Sequence, residues 1–89
     1  KDPRKKTDAT FLLARAFQHK QLPDLALAQF EKALQLAGSG PLAKDALYEM
    51  GTICEAQGKR DDALRHFSRI LEQDINYRDV AGKVEQLRA

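Results

Sequence analysis

Tryptophan is absent from this 89-residue chain, and cysteine and methionine occur once each, at Cys54 and Met50. A single cysteine excludes an internal disulfide and fits a reducing compartment, so a cytoplasmic location is expected. No run of about 18 apolar residues occurs, so a membrane-spanning helix is not expected, and no apolar h-region follows the basic start. An initiating Met is also missing, which fits a segment of a longer protein. Alternating apolar and polar stretches and β-branched runs are lacking, which argues against a sheet.

What is present belongs to an ordinary globular chain: 43% hydrophobic and 31% charged residues are too apolar a mixture for wholesale disorder. One domain fits this length, and a chain so short needs nearly all its apolar residues for the core, leaving little room for a buried catalytic cavity. The net charge of +2 is unevenly placed. Lys1, Arg4, Lys5 and Lys6 against Asp2 give residues 1–6 a charge of +3, so the rest of the chain carries −1. A fold-wide basic surface, the footprint of a nucleic-acid binder, is therefore missing. Residues 1–6 read as a basic, disordered terminus and residues 7–89 as the folded domain.

Apolar residues recur at three- and four-residue steps, which is the helical period. Five helices follow. The first starts at Thr7 as N-cap and ends near Lys20, with Thr10, Leu13, Ala14 and Phe17 as its inward stripe. The second runs from Pro23 to Ala37 and turns Ala26, Leu27, Phe30, Ala33 and Leu34 inward. Gly38-Ser39-Gly40-Pro41 ends it and opens the third, whose stripe is Leu47, Met50, Gly51 and Cys54 and whose end is Gly58. Asp61 and Asp62 favour the start of the fourth, which presents Ala63, Leu64, Phe67, Ile70 and Leu71. The fifth carries Asn76 as N-cap, with Ile75 and Val80 as a hydrophobic staple, and a stripe of Val80, Ala81, Val84 and Leu87.

Sliding the chain on itself by 37 residues superposes Asp24, Ala26, Leu27, Phe30 and Leu34 on Asp61, Ala63, Leu64, Phe67 and Leu71. Phe11 then falls on Tyr48, Leu13 on Met50 and Ala14 on Gly51. Small residues at Ala14 and Ala26, and again at Gly51 and Ala63, let two helix axes approach closely, and Phe30 and Phe67 fill the space beside them. Each hairpin leaves an apolar face that stacking would cover. With Leu13-Ala14, Phe17, Ala26, Phe30 and Ala33 in one unit, and Met50-Gly51, Gly58, Ala63 and Phe67 in the next, the chain resembles the tetratricopeptide-repeat family. The resemblance covers Thr7 to Leu87. Departures from the family pattern are Thr10 and Leu47 where tryptophan is common, Cys54 for tyrosine, Ile70 for alanine, and no proline closing either unit.

The resemblance implies an all-α, right-handed α-solenoid of two antiparallel helix hairpins plus a capping helix. Repeat one spans about residues 7–40, repeat two about 44–77 and the capping helix about 77–88. Two units fall short of the three or more usual for stability. Further helices in a parent protein, or self-association as a homo-oligomer, would make up the difference.

In the family, the first helix of each unit lines a concave groove that binds peptides. Carried over, the resemblance places Phe11, Arg15, Gln18, Tyr48, Thr52, Glu55 and Lys83 in such a groove. Phe11 and Tyr48 would form its apolar platform, with Arg15 and Lys83 as cationic anchors opposed by Glu49 and Glu55; the alternative is that Phe11 packs against the N-terminal segment and Tyr48 against Phe11, with the charges solvated. The expected function is a non-catalytic scaffold for a protein or peptide partner; a structural self-association module is the alternative. A nucleic-acid accessory role rests only on the basic terminus and is not expected. The clamp by which some members hold a chaperone's C-terminal carboxylate is not matched, since Phe11, Arg15, Glu49, Asp79 and Gly82 stand at its positions.

Candidates for chemistry fall away one by one. Cys54 lies on the core stripe, where a thiol acts as a small hydrophobe, so pairing with His66 as a nucleophile is not expected. His19 and His66 have no ligand-spaced partners, so no metal is expected. Gly38-Ser39-Gly40-Pro41 lacks the lysine of a phosphate loop. No cofactor is implied, and the chain is not expected to be an enzyme.

Overall fold

All three prolines open helices. In the computed structural model, which describes residues 3–38 and 40–89, α1 is Pro3–His19, α2 Pro23–Ala37, α3 Pro41–Ala56, α4 Arg60–Gln73 and α5 Val80–Arg88. Proline's fixed φ suits the first helical turn, where its missing N–H has no partner to lose, so Pro23 and Pro41 mark the starts of α2 and α3. Among the described residues no strand occurs, and the chain is all-α, as the periodicity requires.

α1 begins four residues ahead of the expected N-cap. Thr7 is not a cap but a buried residue inside the helix, 5% exposed. Pro3–Lys6 are helical, which replaces the expected disorder over that part of residues 1–6; Lys1 and Asp2 lie outside the described residues. Positive charge at a helix N-terminus opposes the macrodipole. Pro3 at the first position and continuous hydrogen bonding into the buried face at Thr7 outweigh that cost.

The chain divides into a first compact unit ending at Ala46 and a second, Leu47–Ala89, with the boundary inside α3. In the first, α1 packs against α2 through Phe11, Ala14, Ala26, Phe30 and Ala33. The Phe11 and Phe30 rings meet edge to face, 5.4 Å apart. In the second, Leu47, Met50, Ile53 and Cys54 of α3, Ala63, Phe67 and Ile70 of α4, and Val80 and Val84 of α5 are buried. Gly51 is the close-approach point: a Cβ there would stand 2.7 Å from Cε1 and Cζ of Phe67, so only glycine lets that ring lie against α3.

The two hairpin turns repeat each other. After α1, Leu22 N donates to Phe17 O (2.9 Å) and Gln21 N to Gln18 O (3.0 Å); after α3, Lys59 N donates to Cys54 O (2.8 Å) and Gly58 N to Glu55 O (3.1 Å). This is the paired hydrogen-bond pattern that closes a helix on a left-handed residue. That residue is Gly58 in the second hairpin, φ +77°, and Gln21 in the first, φ +61°. Their spacing is the same 37 residues that align the hydrophobic positions.

α5 starts later than expected. Asn76 does not cap it: Asn76 N donates to Asp74 Oδ1 at 3.0 Å, and Tyr77 N to Asp74 O at 3.2 Å. The Asp74 side chain thus draws residues 74–77 into a turn before a helix can form, and Arg78, at φ +44°, reverses the backbone once more. Ile75 is 70% exposed and staples nothing.

Candidate functional site

Three residues at i, i+4 and i+7 on α3, namely Tyr48, Thr52 and Glu55, fall on one helical line. They lie beside two residues of the α5 region, Asp79 and Lys83, themselves four apart. The hydroxyl of Tyr48 donates to Asp79 Oδ1 at 2.9 Å, and Lys83 Nζ donates to Glu55 Oε1 at 3.3 Å. Thr52 turns its hydroxyl back onto the Tyr48 carbonyl, 2.9 Å away, which fixes its rotamer. The helix-side line of α3 is therefore read by α5 at both ends, once by a carboxylate and once by an ammonium.

Aromatic and cationic groups thicken this surface. The Tyr48 ring lies 5.8 Å from that of Phe67 and 6.0 Å from that of Tyr77. The Arg78 guanidinium carbon sits 4.7 Å from the centre of the Tyr48 ring and 5.2 Å from that of Tyr77, within cation–π range of both. Lys83 Nζ is 5.7 Å from the centre of the Phe67 ring. The Lys83 and Glu55 side chains are 22% and 34% exposed, so the pair is partly shielded and still reachable from solvent.

The electrostatics follow from this packing. Burial raises the Tyr48 pKa above the ordinary phenol value, and the hydrogen bond to Asp79 and its negative charge raise it further. Burial alone would lower Lys83, but the hydrogen bond and charge of Glu55, joined by Tyr48 and Asp79, outweigh it, and the ammonium titrates above its usual range. Both groups are thereby held in their protonated forms. Cys54, 3% exposed, has its thiol pushed up by burial and then by Asp62, the opposite of what a nucleophilic thiolate needs.

Of the residues expected to bind a partner, Tyr48, Thr52, Glu55 and Lys83 come together here in the second unit. Phe11, Arg15 and Gln18 belong to the first. Phe11 is not a platform: at 9% exposure its ring is spent on Phe30, and the reason is a shift of phase along α1. The buried line is Thr7, Phe11 and Ala14 rather than Thr10, Leu13 and Ala14, which leaves Leu13 45% exposed. Arg15 is exposed and Gln18 half-buried. Tyr77 and Arg78 were not legible as site residues; the Asp74 and Asn76 pair, a turn-forming combination, is the signal that would have placed them off the helix and beside Tyr48.

Among the described residues no group of three histidines, cysteines or carboxylates is placed to hold a metal ion, and no helix is long and apolar enough to cross a membrane. No curated protein matches the chain. Paired helices joined by matching turns, a repeat of 37 residues and small residues at the helix crossings agree with the tetratricopeptide repeat, whose family pattern matches residues 7–76. Domains of this kind mediate protein–protein interaction on a non-catalytic scaffold. The chain belongs to the tetratricopeptide-repeat family.

Proposed function

We propose that the chain is a non-catalytic scaffold that binds a protein partner over the face shared by α3 and α5, and that it does so in the cytoplasm. The observation that carries this reading is the convergence of Tyr48, Thr52, Glu55, Asp79 and Lys83 on one partly exposed surface of the second unit. Such a face offers a peptide an aromatic edge, one hydroxyl and charges of both signs. A segment with an apolar side chain flanked by an acidic and a basic residue fits it, because each partner charge meets its opposite while the aromatic group excludes water around them.

The Lys83–Glu55 pair favours exchange over permanent closure. It is a single contact at 3.3 Å, not a buried two-point pair, and a partner carboxylate can take over Lys83 while a partner cation takes Glu55. The test is affinity capture with the wild-type chain and a Thr52→Arg, Lys83→Glu variant whose helicity matches wild type. Loss of a stoichiometric partner from the variant supports the assignment. Full retention of every wild-type partner sinks it.

A further inference from the structure

Among the described residues the large exposed apolar side chains are concentrated on the first hairpin: Leu12, Leu13, Leu22, Leu25 and Leu36 belong to the first unit and Ile75 to the second. α1 is the reason. Its buried line is Thr7, Phe11 and Ala14, with Phe11 packed on Phe30 of α2, yet the opposite side of the same helix is apolar too. Ala9, Leu12, Leu13 and Ala16 are all exposed there, with Leu12 at 66% and Leu13 at 45%. A helix that is apolar on two sides is made to be covered on two sides.

The spacing states what kind of cover fits. Positions i, i+3, i+4 and i+7 are the four corners of the hole into which a knob side chain of a facing helix inserts. Here the small corners, Ala9 and Ala16, lie along the helix line and the two leucines flank it, so a partner backbone can come close while its side chain is gripped from both sides. A flat lipid surface makes no use of such a hole.

Charge narrows the partner. Along the described part of α1 and into Lys20, the exposed ionised side chains are Lys5, Lys6, Arg15 and Lys20 against Asp8. Lys5 and Lys20 stand one turn beyond the two alanines on the same side of the helix, and the N–H of Lys20 still bonds to the Ala16 carbonyl at 3.1 Å, so the helical register holds to that point. Two copies of the chain meeting face to face would set this cationic rim against itself.

We propose that the outward face of α1, centred on Ala9, Leu12, Leu13 and Ala16, is the seat of an acidic amphipathic helix of a partner protein. The partner helix inserts an apolar knob between Leu12 and Leu13 and places carboxylates opposite Lys5 and Lys20. This surface lies in the first unit and is separate from the α3 and α5 face proposed above, so either assignment can fail without the other.

The test uses the full chain and a fluorescent synthetic helix with leucines at i, i+3, i+4 and i+7 flanked by glutamates, followed by anisotropy. Binding is expected to weaken by at least about tenfold for Leu12→Gln, Leu13→Gln and for Lys5→Glu, Lys20→Glu, and to be unchanged for Thr52→Arg, Lys83→Glu. The charge variant keeps the test decisive should the leucine variant lose helicity. A matched peptide with lysines in place of the glutamates is expected to bind at least about tenfold more weakly. The proposal is overturned if the acidic peptide does not bind, if both peptides bind alike, or if either α1 variant binds as wild type does. It is equally overturned if light scattering shows a homo-oligomer that Leu13→Gln dissociates, or if the chain sediments with anionic phosphatidylserine vesicles in a Leu13-dependent way.

Discussion

Exchanging the residues at the two left-handed turn positions should move stability in opposite directions. Gln21 and Gly58 occupy equivalent places, with φ +61° and +77°, and the same pair of hydrogen bonds closes each turn. A non-glycine residue held in this region costs about 1–2 kcal/mol, whereas glycine forfeits about 0.5–1 kcal/mol through its freer unfolded chain. Gln21→Gly should therefore stabilise the protein by about 0.5–1 kcal/mol, and Gly58→Gln should destabilise it by a similar amount. No atom lies within 4 Å of a Cβ built on Gly58, so the loss there comes from the backbone and not from a clash. For a domain of this size 1 kcal/mol moves the midpoint by about 4–8 °C, which places the expected shifts at about 2–8 °C, upward for Gln21→Gly and downward for Gly58→Gln. Thermal denaturation followed by circular dichroism reads both. The double exchange should return close to wild type, since the two turns share no hydrogen bond. Destabilisation by Gln21→Gly would refute the reasoning, because it would mean that the first turn does not close on a left-handed residue.

Two other glycines give a contrast of sign. Gly51→Ala drives a methyl to 2.7 Å from a fully buried Phe67 ring and should cost about 1–3 kcal/mol, read as a lowered urea midpoint. Gly82→Ala, with nothing within 4 Å of the added Cβ, should stabilise the fold by about 1 kcal/mol through helix propensity, read as a raised urea midpoint. Stability should also fall in alkali. The folded pKa values of Tyr48 and Lys83 both lie above their unfolded ones, so the folded state holds these protons more tightly. The resulting stabilisation is complete below the unfolded values, about 10 and 10.4, and is lost as pH rises through the folded ones. Thermal unfolding across that range should show the loss, and Tyr48→Phe should flatten it; an unchanged slope in Tyr48→Phe would remove Tyr48 from the account.

Much of the fold was legible because single residues carry backbone instructions. Pro23, Pro41 and Gly58 mark helix ends by their own stereochemistry, and the match of Phe30 with Phe67 exposes the repeat. Gln21 shows where such reading stops: its left-handed turn is imposed by hydrogen bonds from neighbours, and nothing in a glutamine announces it. The phase of α1 was lost for a different reason. Ala9, Phe11, Leu12, Leu13, Ala14, Ala16 and Phe17 surround the helix, so periodicity alone cannot choose the inner side, and packing against Phe30 decides it. Asn76 misled because a good cap is also a good turn residue, and Asp74 engages it first.

The candidate site was half legible on the same grounds. Tyr48, Thr52 and Glu55 share a helical line that any wheel displays, and Lys83 follows from the spacing of α5. Tyr77 and Arg78 lie on irregular backbone, where no period projects them onto a surface.

The central claim, that partners are held by the α3 and α5 face, is tested most directly by nuclear magnetic resonance. Titrating a captured partner segment into isotope-labelled chain should perturb the amides of Tyr48, Thr52, Glu55, Asp79 and Lys83 in a contiguous, saturable set. Saturable binding that leaves all five unchanged would contradict the account.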